Sequence, residues 1–296
     1  MVKGSEMNNA PGKRPLIFGE VLFDHFPDGS RVLGGAPFNV AWHLQAFGLN
    51  PLFISRVGTD TEGDEIRRAM QAWGMDISGL QTDPDHATGR VEVSFEDGEP
   101  HYEIVKPCAW DFITADELPD ISGAGLLYHG SLALRHEVSA AALAALQKRS
   151  AAPLFVDINL RPPWWDAKSA QAMLRRARWL KLNEHELAQI EGDTRAEALL
   201  DGNMALIALT RGEEGATLIA SGEHHTIRPH SEVPFMDAVG AGDAFCSVLL
   251  TGVLRSWPIS VTLTRAQAFA SAVVGIRGAT SRDRSFYQLF TEQWTH

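Results

Sequence analysis

One short stretch, Asp237-Ala-Val-Gly240-Ala241-Gly242-Asp243-Ala-Phe245, brings together residue types that suit a single kind of chemistry. It starts polar and runs into an apolar segment where Phe245, Val248, Leu249 and Gly252 recur at three- and four-residue steps, the period of a helix. Gly240, Ala241 and Gly242 therefore fall where a loop becomes a helix. Backbone N–H groups at a helix start lack partners, and the helix dipole adds partial positive charge there. Small side chains let a ligand reach those groups, so the place suits a phosphate. Asp243 would stand in the first turn beside that anion. Like charges repel, so a carboxylate is out of place in pure phosphate binding. It makes sense if it accepts a proton from a hydroxyl that attacks the phosphorus. The same residues also suit a plain glycine turn with an Asp at a helix start, and spacing does not separate the two readings.

Further groups carry polar chemistry at the expected ends of strands and starts of helices. Asp24 follows the first strand, and Gly34-Gly35-Ala-Pro37-Phe-Asn39 opens the next helix. A carboxylate, a carboxamide and bare glycines suit sugar hydroxyls, which both donate and accept, although a polar turn before a capped helix has the same composition. Asp157-Ile-Asn159-Leu-Arg161 ends a strand and turns at Pro162-Pro163. Alternation would send Asn159 and Arg161 off the same side of that strand. The planar fork of an arginine pairs with the oxygens of a transferring phosphoryl group. Asn183-Glu-His-Glu186 fits an N-cap with its capping box. Thr210-Arg-Gly212-x-x-Gly215 makes a tight turn after a strand, and Gly278 precedes Ala279-Thr280.

Taken together, these motifs resemble the ribokinase-like (phosphofructokinase-B) sugar kinases over roughly residues 16–280. The stretch from Asp237 to Phe245 resembles that family's C-terminal signature, with Ala238 and Val239 where threonines are usual. Gly-Gly-Ala-Pro-x-Asn and Asp-x-Asn-x-Arg-x-x-x-Trp165 resemble its fructokinase-like branch. The resemblance implies that Asp243 is the catalytic base, that Gly240, Ala241 and Gly242 form the anion hole, and that Arg161 faces the reacting phosphate. It implies sugar contacts from Asp24, Gly34, Gly35, Asn39, Asn159 and Asp243. ATP would lie against Asn183, Thr210, Gly212, Gly215, Gly240, Gly242 and Gly278. Glu186 would position Mg²⁺ through water, and Asp237 and Val239 would belong to a loop that binds a monovalent cation, K⁺, through backbone oxygens. Fructose is the expected substrate. Ribose, 2-keto-3-deoxygluconate and nucleosides are the alternatives, and a sugar-sensing protein without turnover is another.

Composition narrows the function classes. Lys plus Arg number 26 against 37 Asp plus Glu, a net charge of −11 with no basic run, which argues against nucleic-acid binding. Two distant cysteines, Cys108 and Cys246, suit a reducing cytoplasm. No apolar run has membrane length. There is no Gly-Lys-Ser/Thr phosphate loop, and Phe245 stands where a dinucleotide glycine fingerprint needs its last glycine, which argues against a dehydrogenase.

The elements that must position these residues alternate. Strands are expected over residues 16–20, 52–57, 126–129, 154–159, 179–182, 205–210 and 216–220. Helices are expected from Gly35 to Phe47, from Asp60 or Thr61 to Trp73, and over 138–149, 167–178, 184–190, 244–254 and 265–277. This pattern implies an α/β fold, a mostly parallel central sheet with helices on both faces. Residues 90–105 break the rhythm. Val91, Val93 and Phe95 alternate with polar residues, and Asp97-Gly98 is a hairpin turn. The expected organisation is a kinase domain over 14–296, a small β-sheet lid from 21–34 and 89–106, and a flexible leader over 1–13. The apolar face of the ribbon would need cover from bound sugar or from a second copy, a homodimer through the lid.

Overall fold

The computed structural model describes residues 13–96, 99–192, 195–200, 202–229, 236–237 and 239–294. Residues 1–12 of the leader, the Asp97-Gly98 turn and Ala238 lie outside them. The chain begins β1 (Arg14–Phe18), β2 (Leu22–His25), β3 (Arg31–Gly34), α1 (Ala36–Ala46), β4 (Leu52–Gly58), α2 (Thr61–Trp73), β5 (Leu80–Asp83), β6 (Gly89–Glu96) and β7 (Glu99–Ile104). It continues β8 (Ala124–His129), α3 (Glu137–Arg149), β9 (Leu154–Asp157), α4 (Ala167–Arg176), β10 (Trp179–Asn183), α5 (Glu184–Glu191), β11 (Leu206–Thr210) and β12 (Ala216–Ala220). The last elements are β13 (Glu223–Ile227), α6 (Ala241–Leu254), α7 (Ile259–Val273) and α8 (Arg284–Gln293).

Nine strands form the main sheet in the order β13-β12-β11-β10-β9-β8-β1-β4-β5. Every pair from β11 to β5 is parallel, and β12 and β13 add an antiparallel edge. The strands are buried on both faces, so neighbouring residues enter different cores. Ile17 packs with α1, α6 and α7, while Leu16 and Phe18 pack with α3. On the far side, Leu180, Leu182 and Leu209 meet α4 and α5. The expected α/β architecture is therefore present. No helix among the described residues is long and apolar enough to cross a membrane.

Helix starts differ in a way that matters for the site. Asp60, Asp166, Asn183 and Asp283 each cap a helix, α2, α4, α5 and α8 respectively, by accepting a backbone N–H. Helices α1 and α6 instead begin on Gly35 and Gly240, with no capping side chain.

The second sheet has four strands in the order β3-β2-β6-β7. It is a small mixed lid, with β2 and β6 parallel and the other pairs antiparallel. Arg31 ties it to α2 through Glu62 at 3.0 Å and Glu65 at 2.6 Å. Asp60 accepts from Thr88, just before β6, at 2.6 and 2.7 Å. The ribbon's apolar face differs from expectation. Val91 and Val93 are buried against Leu22, Phe26 and Ile104 within the lid itself. Only towards the tip is that face open, where Phe95 is 57% and Tyr102 53% exposed. Covering therefore comes first from β2, which pairs with the ribbon, and the ribbon is not a bare two-stranded insert.

Candidate active site

Helix α6 starts as its sequence requires. Gly240 has φ 81°, and a Cβ there would stand 2.4 Å from Ala279 Cα, so only glycine fits both the backbone and the neighbour. Ala241 and Gly242 follow with their N–H groups facing outward from an uncapped helix, and Asp243 completes the first turn. Helix α1 likewise begins at Gly35, whose φ of 106° and close approach to the Glu20 carbonyl, 2.7 Å from an added Cβ, exclude a side chain. The two helix starts meet: Asn39 Nδ2 donates to Asp243 Oδ2 at 2.8 Å. Residues far apart in sequence thus meet where two glycine-started helices begin.

Asp243 is half-buried. Burial pushes its pKa up to about 6; Asp157 pushes the same way, while the Asn39 bond, Lys181 and Arg161 pull back. A carboxylate with that value is ionised above pH 6 yet basic enough to take a proton. We expect kcat/KM to rise with pH through about 6 and to fall roughly tenfold per pH unit well below it, because only ionised Asp243 can act as base. An acid limb that stayed near pH 4 would show that the enclosed carboxylate is not the kinetic group.

The other sugar-side residues stand as follows. Asp24 lies on β2, within the expected lid. Its Oδ2 is 3.5 Å from where a Cβ on Gly34 would be, across the β2–β3 pair. Burial raises its pKa to about 6, with His25 opposing. Strand β9 stops at Asp157, so Asn159 does not follow strand alternation; it has φ 41°, and its carbonyl accepts from Ser131 Oγ at 3.3 Å. The left-handed turn re-aims the segment before Arg161, which is exposed and donates to the Leu160 carbonyl at 3.1 Å.

On the nucleotide side, Asn183 and Glu186 form the expected capping box. Glu186 Oε2 accepts from Asn183 N at 2.8 Å, and Oε1 accepts from Leu160 N at 2.9 Å. Both oxygens are thus committed to backbone donors, and the residue is buried. This donor set does not grip a metal directly, and no cluster of three or more His, Cys, Asp or Glu suited to a metal occurs among the described residues. It fits Mg²⁺ that keeps its waters and arrives on phosphates. Thr210 ends β11, and Gly212 (φ 55°) and Gly215 (φ 97°) shape the turn to β12. Gly278 (φ 78°) donates its N–H to Asp237 Oδ2 at 3.2 Å, and Asp237 Oδ1 accepts from Val239 N at 2.9 Å. The Asp237 side chain thus links its own loop to that of Gly278.

Sequence reasoning missed two groups and met a third, Glu20, only within the pattern Gly19-Glu20-x-x-x-Asp24. Lys181 Nζ donates to Asp157 Oδ1 at 2.7 Å from the adjacent strand, and it lies 3.7 Å from the Cβ position of Gly242, directly beneath the helix start. Glu20 is buried beside the site. Arg135 and Asp111 form a buried pair at the foot of the lid. A charged residue inside an apolar strand, such as Lys181 in Trp-Leu-Lys-Leu, is the signal that could have found the first.

An uncapped glycine helix start beside a raised carboxylate can hold a phosphate and accept a proton from an attacking hydroxyl. Comparison with known proteins points the same way. The model of the pfkB family carbohydrate kinases matches residues 5–284. The chain is 34% identical to a fructokinase of Escherichia coli over 256 residues, covering 80% of this chain and 83% of that one. A fructokinase structure from Vibrio cholerae, in a fructose, ADP and calcium ion bound form, is similar at a TM-score of 0.80 and 25% identity, covering 95% of this chain and 99% of that chain. A fructokinase from Xylella fastidiosa with bound ATP shares the fold at a TM-score of 0.84 and 22% identity, covering 96% and 100%. Since the match spans nearly the whole sequence, motif and lid included, the chain belongs to the pfkB family of carbohydrate kinases and is an ATP-dependent phosphotransferase.

Proposed function

We propose that the protein phosphorylates fructose, with Asp243 taking the proton from the attacking hydroxyl. The observation that carries this reading is the 2.8 Å bond from Asn39 to Asp243, which joins a helix start suited to sugar hydroxyls to the base at the anion hole. The fructokinase likenesses support the choice of sugar. In this reading Asp24, Gly34, Gly35, Asn39 and Asn159 hold the sugar, and Arg161 with the N–H groups of Gly240 to Asp243 holds the transferring charge. Lys181, beneath Gly242, adds positive potential to the same place. ATP lies along Asn183, Thr210, Gly212, Gly215 and Gly278. Mg²⁺ supplies charge neutralisation on the phosphates when bound, held by Glu186 through water. The reaction takes place in the cytoplasm.

Rates of ADP formation with magnesium-ATP over fructose, ribose, 2-keto-3-deoxygluconate and nucleosides test the substrate. Fructose should give the highest kcat/KM. Binding of a sugar without any turnover would favour the sensing alternative instead.

Two predictions separate the parts of this site. Asp24→Ala should raise the fructose KM by about 10- to 100-fold, the range for a lost bond to a charged group, with the ATP KM nearly unchanged. Asn39→Ala should do the same and also move the acid limb upward, because the Asn39 bond lowers the pKa of Asp243. Equal effects on both substrates would remove these residues from the sugar side.

K⁺ is expected to raise activity by fixing the loop that Asp237 closes onto Gly278. Equal rates in potassium, sodium and a bulky organic cation would end that idea. The open tip of the lid, Phe95 and Tyr102, suits a homodimer through a second copy of the same strip.

A further inference from the structure

Glu20 follows Gly19, where β1 reaches the ligand-binding edge of the main sheet, and the start of α1 rests on its carbonyl at Gly35. The residue is 3% exposed, and its Oε2 meets no hydrogen-bonding group among the described residues. The charged groups that face it are Arg161 from the loop after β9, Asp243 from α6 and Arg135 from the segment before α3. From β8, the Tyr128 hydroxyl, likewise buried and without a partner, shares this space with Asp157 and Asp243. Neither arginine bonds to Glu20. Arg135 gives its Nε and Nη2 to Asp111 and the Val105 carbonyl while its buried Nη1 meets no acceptor, and Arg161 bonds to the carbonyl of Leu160. The backbone N–H of Glu20 donates to its own carboxylate, but Oε2 is left without a donor. An ionised carboxylate that deep and half satisfied is disfavoured, so the group resolves the conflict by keeping its proton.

We propose that Glu20 is a positioning residue that works as a neutral acid: its proton spares Asp243 a second unpaired carboxylate and leaves Arg161 free for the transferring phosphoryl group. Burial pushes its pKa up to about 7; the bond from its own backbone N–H, Arg161 and Arg135 pull it back, and Asp243 pushes it further up. Above that value Glu20 ionises. Its charge then draws Arg161 downward and repels the incoming triphosphate. Bound phosphate in turn favours the protonated form, so ATP binding above pH 7 takes up a proton. The proposal rests on Asp243 and Arg161 acting as described above, and the Asp243→Asn variant tests that foundation separately.

The experiment compares the pH dependence of the magnesium-ATP KM in wild type and Glu20→Gln, which mimics the protonated acid. Wild type should show a KM that rises by up to about tenfold per pH unit above the ionisation. Glu20→Gln should turn over at pH 6.5 and show a KM that no longer rises. Superimposable profiles would overturn the proposal. So would a folded Glu20→Gln protein with turnover lost a hundredfold at every pH, since the carboxylate charge itself would then be required. Should that variant fail to fold, calorimetry on wild type decides. Binding of a non-hydrolysable ATP analogue with magnesium at pH 8, in two buffers of different ionisation heat, should reveal proton uptake, and no uptake overturns the idea.

Discussion

Asp243→Asn is expected to lower kcat by about 10²- to 10⁴-fold while the protein stays folded and binds ATP, the usual range for a lost general base. The amide fills the same space and can still meet Asn39, so the change removes basicity and little else. Burial holds the native carboxyl near pKa 6, which means the folded protein pays to ionise it. The sign for stability follows. A carboxyl whose pKa is raised on folding favours the fold most at low pH, and that contribution is lost as pH rises through about 6. Asp243→Asn should therefore be at least as stable as wild type at pH 8. Steady-state kinetics and a thermal melt on the same sample check both parts. Near-native turnover would dismiss Asp243 as the base.

The second large effect is on stability. Asp111→Ala is expected to cost about 3–5 kcal/mol, the range for removing one partner of a buried ion pair. Side-chain exposure is 1% for Arg135 and 0% for Asp111, and two bonds of 2.7 and 2.9 Å join them. The guanidinium also lies 4.0 Å from the Trp110 ring centre and 4.9 Å from that of Trp164. Without Asp111 that charge has nowhere to go. Arg135 also donates to the Val105 carbonyl at 2.7 Å, one residue past β7, so the return strand of the lid loses its anchor. The fructose KM should rise together with the fall in denaturant midpoint. Pairing Asp111→Ala with Arg135→Met should recover part of the loss. A single variant within 1 kcal/mol of wild type would show that the tryptophans alone hold the arginine.

Much of this was legible in the sequence because periodicity is a local property. The helices α1 and α2 appeared where their glycines, proline and Asp60 placed them, and the capping box at Asn183 was readable from two residues. The alternation of strands and helices implied the main sheet. Other features depended on partners remote in the chain. Strand β13, Glu-His-His-Thr-Ile, looks like a polar loop because it is an edge with little to bury. Helix α8 and its C-cap carry Phe286, Phe290 and Trp294 at helical spacing, yet the core they pack against lies on helices remote in the chain. Strand alternation failed at Asn159 because the strand stops two residues earlier. For the site, the loop motifs carried most of the reading. The buried charges were harder to read, since Glu20, Lys181 and Arg135 answer to groups supplied by other strands and helices.

The strand order has a consequence for how the chain is made. β1 is synthesised before every other described strand, yet it ends in the interior of the sheet between β4 and β8. Its apolar residues Leu16, Ile17 and Phe18 leave the ribosome long before β8 exists. β2 waits likewise for β6. A nascent chain halted before residue 124 can pair β1 with β4 but leaves its other edge open, a template for wrong partners. Synthesis of residues 124–129 closes that edge. Fragments that stop short of it should aggregate or recruit chaperones, whereas those that include it gain the completed centre of the sheet.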